Sequence, residues 1–353
     1  MIEWANESKY NSFNSMKGLC YYEHYKQIVG WLDGKNELPP PIEASLDPIN
    51  ACNNRCYYCN SQRYLREHPA GLKRWGRDYL EDTLIRLSQW GVKAFCWGGG
   101  GEATLNIRLS GMTEFGVKLG MECSIITNGV LVTGELADEL LLCRWIGVSL
   151  DSAIPEVYRK VRGTDDCFKV LENIKNLAKK RTKTDICVKV LVLPETIDTI
   201  LYTCEVARDL GVQDFHVRPV DLERKDFKIA QRLSLDMDKI RGIFDECHKL
   251  ETKDFHVYTV THKYDENFHV KHDFNQCLAS PLVAQICTDK RMHICLDHRL
   301  EAKYEIKEWG SEQHRQLLKS VVPDRDCGRC TFGAYNEQIE KVVLEDRMCV
   351  NFP

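Results

Sequence analysis

The chain has 353 residues, 43% of them hydrophobic and 28% charged, the composition of a folded globular protein with room for one large domain and a smaller one. Its formal net charge of −4 excludes an extended nucleic-acid surface, which needs excess basic groups to neutralise phosphates. No run of about twenty apolar residues is present to span a bilayer, and the opening Met1-Ile2-Glu3-Trp4-Ala5-Asn6-Glu7 lacks the basic, then apolar order of a secretory signal, so a cytoplasmic location is expected. In a reducing compartment the 17 cysteines point to metal ligands, small buried apolar residues or reactive thiols rather than disulfides.

Residues 1–40 form an N-terminal extension. Within it Met16–Leu32 spaces its apolar residues as an amphipathic helix, closed by Asp33-Gly34 and then Pro39-Pro40-Pro41, and is expected to pack against the main domain as a brace. From Ile42 onwards short apolar or β-branched runs alternate with helical patterns. The predicted strands are Ile42–Leu46, Ala94–Trp97, Cys123–Thr127, Trp145–Leu150, Cys187–Leu193 and Phe215–Val217. The predicted helices are Asp78–Trp90, Ala137–Cys143, Phe168–Lys180, Thr196–Leu210 and Ser234–Leu250. Serial strand–helix units predict an α/β fold over residues 41–252, a parallel sheet wound by right-handed crossovers into a partial (β/α)6 barrel open along one side. Functional residues of such folds gather at the carboxyl ends of the strands.

That is where the unusual motifs fall. After the first strand comes Ala51-Cys52-Asn53-Asn54-Arg55-Cys56-Tyr57-Tyr58-Cys59-Asn60, a C-x3-C-x2-C loop. A closed structural zinc site or ordinary iron–sulfur cluster takes four protein ligands, so a compact trio leaves one metal position for something other than cysteine. After the second strand, Gly98-Gly99-Gly100-Gly101-Glu102 removes successive side chains, which lets the backbone turn sharply and approach a ligand. Thr127-Asn128-Gly129 follows the third strand, and Ser149-Leu150-Asp151 and then Arg162-Gly163 follow the fourth; read alone, these polar residues serve equally well as caps or turn formers. Arg218 ends the sixth strand at the barrel mouth, where an arginine anchors an anionic or hydroxyl group of a substrate or pairs with an acid at the rim.

The cysteine loop, with an aromatic before its last cysteine, and the Gly-Gly-Glu loop one unit later resemble the radical S-adenosylmethionine (SAM) enzymes. The resemblance implies that Cys52, Cys56 and Cys59 hold a [4Fe–4S] cluster whose fourth iron takes the amino and carboxylate groups of SAM, and that an electron from the cluster cleaves SAM to a 5′-deoxyadenosyl radical. It implies that Gly100, Gly101 and Glu102 meet the SAM amino group and that Asn128 belongs to the same cofactor site. It also places Ser149 and Asp151 along the ribose and carboxylate, Arg162 on the carboxylate and Tyr58 near the adenine. A flavodoxin or ferredoxin is the expected electron donor.

Residues 253–353 read as a smaller α+β domain of short strands and charged turns. Cys277, Cys295 and the pair Cys327-Gly328-Arg329-Cys330 form a metal-ligand set whose spacing fits zinc and an iron–sulfur cluster equally. The region resembles the C-terminal twitch and SPASM domains of radical SAM enzymes, most nearly that of the deoxy-scyllo-inosamine dehydrogenases. This implies an auxiliary [4Fe–4S] cluster fully ligated by cysteine, with Gln285–Cys295 as a hairpin carrying the second ligand. Cys287 and Cys349 remain over, each as a buried thiol, a replacement ligand or a hydrogen-atom donor to a substrate radical. Cys20, Cys96, Cys123, Cys143, Cys167, Cys187, Cys204 and Cys247 read as core, and His256, His262, His269 and His272 are too scattered for a metal site.

These features together predict a radical SAM enzyme that dehydrogenates a small polar molecule with help from the auxiliary cluster. A ribosomal-peptide maturase, cross-linking or epimerising, is the alternative enzyme, although residues 1–40 are too short for the winged-helix module by which many such enzymes hold a leader peptide. A non-catalytic iron–sulfur protein for binding or electron transfer is the third reading.

Overall fold

Parallel pairing organises the structure, a computed structural model that describes residues 15–59, 61, 65, 73–220, 235–261, 264–266, 268 and 270–345. Cys349, Asn60, His262, His269 and the start of the predicted helix at Ser234 lie outside the described residues. Each predicted strand is present with its ends shifted by two residues at most: β1 Glu43–Leu46, β2 Ala94–Trp97, β3 Glu122–Thr127, β4 Trp145–Ser149, β5 Asp185–Val192 and β6 Asp214–Pro219. After α1, Tyr22–Leu32, the connecting helices are α2 Arg77–Trp90, α3 Met112–Lys118, α4 Gly134–Leu140, α5 Pro155–Arg162, α6 Cys167–Lys180, α7 Ile200–Asp209 and α8 Met237–His248. Helices α3 and α5 were not predicted. At seven and eight residues they are too short to display a helical period, and Pro155, at the start of α5, reads equally as a turn.

The sheet continues past residue 252. β7, His256–Thr259, pairs in parallel with β6, and β8, Val283–Ile286, pairs in parallel with β1 on the other side. Antiparallel β9, Met292–His293, and β10, Glu305–Ile306, extend it further, giving the order β10-β9-β8-β1-β2-β3-β4-β5-β6-β7. The result is the expected partial barrel with a C-terminal α+β portion, but strands from that portion widen the sheet at both edges.

Strand alternation gives the sheet two unlike faces. Ala44, Leu46, Phe95, Ile146, Val188 and Phe215 share a core with Leu80 and Leu84 of α2, Val170 and Ile174 of α6, and Ala207 of α7. The helices match this face: α6 buries Cys167, Val170, Ile174 and Leu177 at helical spacing. On the opposite face Ser149, Lys189, His216 and Tyr258 stand side by side across β4 to β7, with Leu191 and Arg218 paired further along. Burying polar groups is costly unless they are partnered, so this face marks the working side of the sheet.

The N-terminal brace differs from expectation. Ser15–Tyr21 is a 3-10 helix and only Tyr22–Leu32 is α-helical. Gly18, a poor helix former, lies where a Cβ would collide with Gln338 and Tyr25. Tyr25, Ile28, Trp31 and Leu32 pack on Leu278, Leu282, Leu318 and Phe332, so α1 braces the C-terminal portion rather than the barrel. Across the two portions, buried Asp47 after β1 accepts hydrogen bonds from Arg299 Nε at 2.8 Å and Gln285 Nε2 at 3.0 Å. Among the described residues no helix is long and apolar enough to cross a membrane.

Candidate cluster and cofactor site

The cysteine loop after β1 is set by the glycine loop after β2. Glu102 N donates to Ala51 O at 2.7 Å, and a Cβ on Gly101 would strike the carbonyl oxygens of Ala51 and Ile49. Only glycine permits that approach. At Gly99 a Cβ would meet nothing closer than Gly101 O at 3.7 Å. Gly101→Ala is therefore expected to cost about 3 kcal/mol and to cut iron incorporation, while Gly99→Ala leaves both near wild type, as denaturation and iron analysis would show.

Glu102 is 3% exposed, and its carboxylate accepts from Thr104 Oγ1 at 2.6 Å, Thr127 Oγ1 at 2.7 Å and Asn128 N at 2.7 Å. It thus ties the loop after β2 to the end of β3. Asn128 Nδ2 in turn donates to Asn53 Oδ1 at 2.6 Å, so Asn128 supports the cysteine loop.

On the other flank α5 ends at Arg162, where Gly163 turns with φ 73° and lies so close to Arg55 that a Cβ would sit 2.9 Å from the Arg55 Cβ. Arg55 N donates to Arg162 O at 2.9 Å. The buried Arg162 guanidinium donates from Nη1 to Tyr58 OH at 2.8 Å and Cys56 Sγ at 3.5 Å, and from Nη2 to Ser149 O, and it lies 3.3 Å from Asp151 Oδ2. Tyr58 OH donates to Asp151, and Asp151 Oδ1 accepts from Leu191 N at 3.1 Å. Asp151 holds φ at 65°, a left-handed conformation that aspartate tolerates better than most residues and that recurs at functional sites. Burial raises the Tyr58 phenol above its ordinary range, against the opposing pull of Arg162. Burial also opposes the charge of Arg162, but Tyr58, Cys56 and Asp151 more than offset it.

The sulfur atoms fit a cluster. Burial pushes the Cys52 thiol up to about 12 and raises Cys59, and the three loop cysteines act as like-charged neighbours when ionised. Such thiols become thiolates against the positive charge of a metal. Asn54 N donates to Cys52 Sγ at 3.4 Å, and Arg162 Nε is buried without a partner beside this set. These donors suit thiolates together with a small polar ligand. Among the described residues no three His, Cys, Asp or Glu side chains gather as they would around a single ion. Cysteines of a four-iron cluster bind separate irons and need not meet at one point.

The second set assembles likewise. β8 and β9 form the expected hairpin, with Ile286 opposite Met292. Burial raises Cys277 to about 12 and also raises Cys295, with Cys330 a like-charged neighbour of both, and Cys327 shares a packing cluster with Cys277 and Cys295. Sequence reasoning missed Asn336, fully buried in α11 (Gly333–Gln338; α9 is Glu312–Ser320 and α10 is Pro323–Asp326). Its Nδ2 donates to Cys330 Sγ at 3.5 Å, and its Oδ1 accepts from Leu278 N at 2.6 Å and Ala279 N at 2.7 Å, so it joins the strands of chain that carry Cys277 and Cys330. No local pattern flags it. Asp297 N donates to Cys295 Sγ at 3.4 Å, and its carboxylate accepts from Arg329 Nε at 2.6 Å. Cys287 stands apart from this set, fully buried beside Gln285, Asp47 and Arg299. Of the eight cysteines expected in the core, Cys20 is exposed instead.

A cavity of about 190 Å³ opens at the carboxyl ends of the strands. Tyr58, Cys59, Ser149, Asp151, Arg162, Lys189, His216, Arg218 and Arg329 are among the residues that line it. Gly100, Gly101, Glu102, Asn128 and Cys287 do not line it. The arrangement places the last cysteine of the first set and the arginine between the last two cysteines of the second against one volume.

The Radical SAM superfamily model matches residues 46–207. The antilisterial bacteriocin subtilosin biosynthesis protein AlbA of Bacillus subtilis is 27% identical over 192 residues, 53% of this chain and 41% of AlbA. The mycofactocin maturase MftC of Mycolicibacterium smegmatis is 29% identical over 168 residues, 46% of this chain and 41% of MftC. The chain thus spans about two fifths of the length of these relatives. Among solved structures, Streptococcus suis SuiB bound to precursor peptide SuiA covers 86% of this chain and 71% of SuiB with a TM-score of 0.63, and at 13% identity this likeness concerns the fold.

Proposed function

We propose that this chain, whose residues 46–207 match the Radical SAM superfamily model, is a radical SAM enzyme that matures a peptide by hydrogen-atom abstraction followed by oxidation of the modified residue. The observation that carries the reading is the shared cavity: Cys59 of the first cysteine set and Arg329 within the second line the same volume. A substrate residue in that volume would meet Cys59 of the first set and Arg329 from the turn of the second. The names of the relatives, one a bacteriocin biosynthesis protein and another a maturase, support a peptide as substrate.

Cys52, Cys56 and Cys59 would hold the first cluster, and Cys277, Cys295, Cys327 and Cys330 the second. When bound, the first cluster and SAM supply the 5′-deoxyadenosyl radical and the second cluster supplies a one-electron acceptor. The chain itself fixes the geometry. Arg162 and Asp151 lock Tyr58 at the cavity wall, Glu102 and Asn128 hold the cysteine loop against the glycine loop, and Asn336 holds the second set together. The low exposure of these groups keeps water from competing for their hydrogen bonds.

The test is anaerobic turnover of the reconstituted protein with SAM, dithionite and a set of short synthetic peptides. The expected result is one 5′-deoxyadenosine per peptide and a peptide lighter by two hydrogen atoms. A peptide mass unchanged in ordinary water, with one solvent deuterium taken up in heavy water, would indicate epimerisation and overturn the oxidative reading. The confined cavity of about 190 Å³ favours one second reading, dehydrogenation of a small polar molecule, which an unreacted peptide together with turnover of a sugar or cyclitol would establish. No SAM cleavage at all would leave the non-catalytic iron–sulfur reading.

A further inference from the structure

Besides Arg162, three cationic side chains from three separate elements border the cavity: Lys189 of β5, Arg218 of β6 and Arg329 between Cys327 and Cys330. Lys189 pairs in register with His216, and Arg218 with Leu191, so both cations stand on the concave face. Among the described residues the acids nearby are already engaged. Asp151 serves Tyr58, Arg162 and Leu191 N, and Asp297 accepts from Arg329 and from Thr331 Oγ1. Arg218 makes no hydrogen bond or ion pair with another described residue.

Like charges held together away from water raise the free energy of the site, and an anion placed between them removes that cost. The strain is visible in Lys189 and Arg218. Burial and then Arg218 hold Lys189 down at about 8, and burial and then Arg329 lower Arg218 from its ordinary range. Arginine offers a planar fork that matches a carboxylate, and lysine adds a point charge.

We propose that Lys189, Arg218 and Arg329 bind a carboxylate of the substrate, so that the position attacked lies beside an acidic side chain or a free carboxyl terminus. The proposal rests on the peptide reading for the source of that carboxylate. Because Arg329 comes from the C-terminal portion and the other two from the barrel, the carboxylate is gripped by both, which places it between the two cysteine sets.

The experiment is anaerobic calorimetric titration of the SAM-loaded holoenzyme, so that the carboxylate of SAM is already seated. The probes are acetyl-Ala-Glu-Ala-amide, acetyl-Ala-Gln-Ala-amide and acetyl-Ala-Ala-Ala with a free carboxyl terminus. At least one carboxylate peptide is expected to bind about tenfold more tightly than the glutamine peptide, and which one does so identifies the source. Arg218→Gln should erase the preference and Arg218→Lys retain part of it, with iron content confirming that each variant is loaded. Equal binding of acid and amide peptides by the wild type, or an undiminished preference in Arg218→Gln, overturns the proposal. Tighter binding of acetyl-Ala-phosphoserine-Ala-amide than of the glutamate peptide would also overturn it, in favour of a phosphate site. No turnover is needed, so loss of this preference with peptide oxidation intact removes only the carboxylate site. A retained preference without oxidation removes only the maturase reading.

Discussion

Alanine at Cys52, Cys56 and Cys59 together is expected to lower the iron of the anaerobically reconstituted protein from about eight atoms to about four, at four per cluster, and to abolish SAM cleavage. The complementary variant, alanine at Cys277, Cys295, Cys327 and Cys330, should also fall to about four irons yet still cleave SAM. Only this second protein should then fail to oxidise its substrate. Iron and sulfide analysis with electron paramagnetic resonance separates the outcomes, because each variant should show one reduced-cluster signal where the wild type shows two. The fold gives reason to expect that both variants survive. The first set sits in one loop, and burial pushes the Cys52 and Cys59 thiols upward, so without metal these two are neutral groups that alanine replaces without leaving a buried charge. Zinc in place of the second four irons would make the C-terminal set structural and turn the reading towards a redox-neutral reaction.

The parts of this site that the sequence made legible are local ones. Cys52, Cys56 and Cys59 lie within one loop, Gly101 and Glu102 within another, and a short pattern records each because a few consecutive residues do the work. The strands β1 to β6 were legible because apolar runs bounded by helices recur. β7 was not, and β8 was legible only as one arm of the Gln285–Cys295 hairpin, since four residues such as His256-Val257-Tyr258-Thr259 and Val283-Ala284-Gln285-Ile286 carry too little pattern, and only pairing to β6 and β1 makes them barrel strands. What escaped entirely was long-range polar pairing. Asn336 to Cys330, Arg329 to Asp297 and Glu102 to Asn128 are set by tertiary approach, and none follows from spacing. Lys189 did leave a trace: a single lysine inside the apolar run Val188-Lys189-Val190 is a charge on an otherwise buried strand, and such a charge implies a partner or a ligand.

Arg162→Met is expected to lower stability by about 3–5 kcal/mol, the usual cost of removing one member of a buried ion pair. Asp151 is 1% exposed and faces that guanidinium, so its carboxylate would be left buried without its cation, while Cys56 Sγ and Ser149 O would lose their donors. Adding Asp151→Asn should restore much of the stability, because a neutral pair of similar volume carries no uncompensated charge. Denaturant unfolding under anaerobic conditions reads this part. SAM affinity is expected to behave differently, staying low in the single and the double variant alike, because the neutral pair restores packing but not the cation. Arg162→Lys should sit between them, keeping the charge but not the fork that reaches Tyr58 OH, Cys56 Sγ and Ser149 O from one group. If the double variant recovered SAM binding together with stability, Arg162 would be a structural cation only. The carboxylate of SAM would then have to be held elsewhere, and Lys189, Arg218 and Arg329 would become its leading candidates. The same pair of measurements therefore decides which cations in the cavity serve the cofactor and which are left for the substrate.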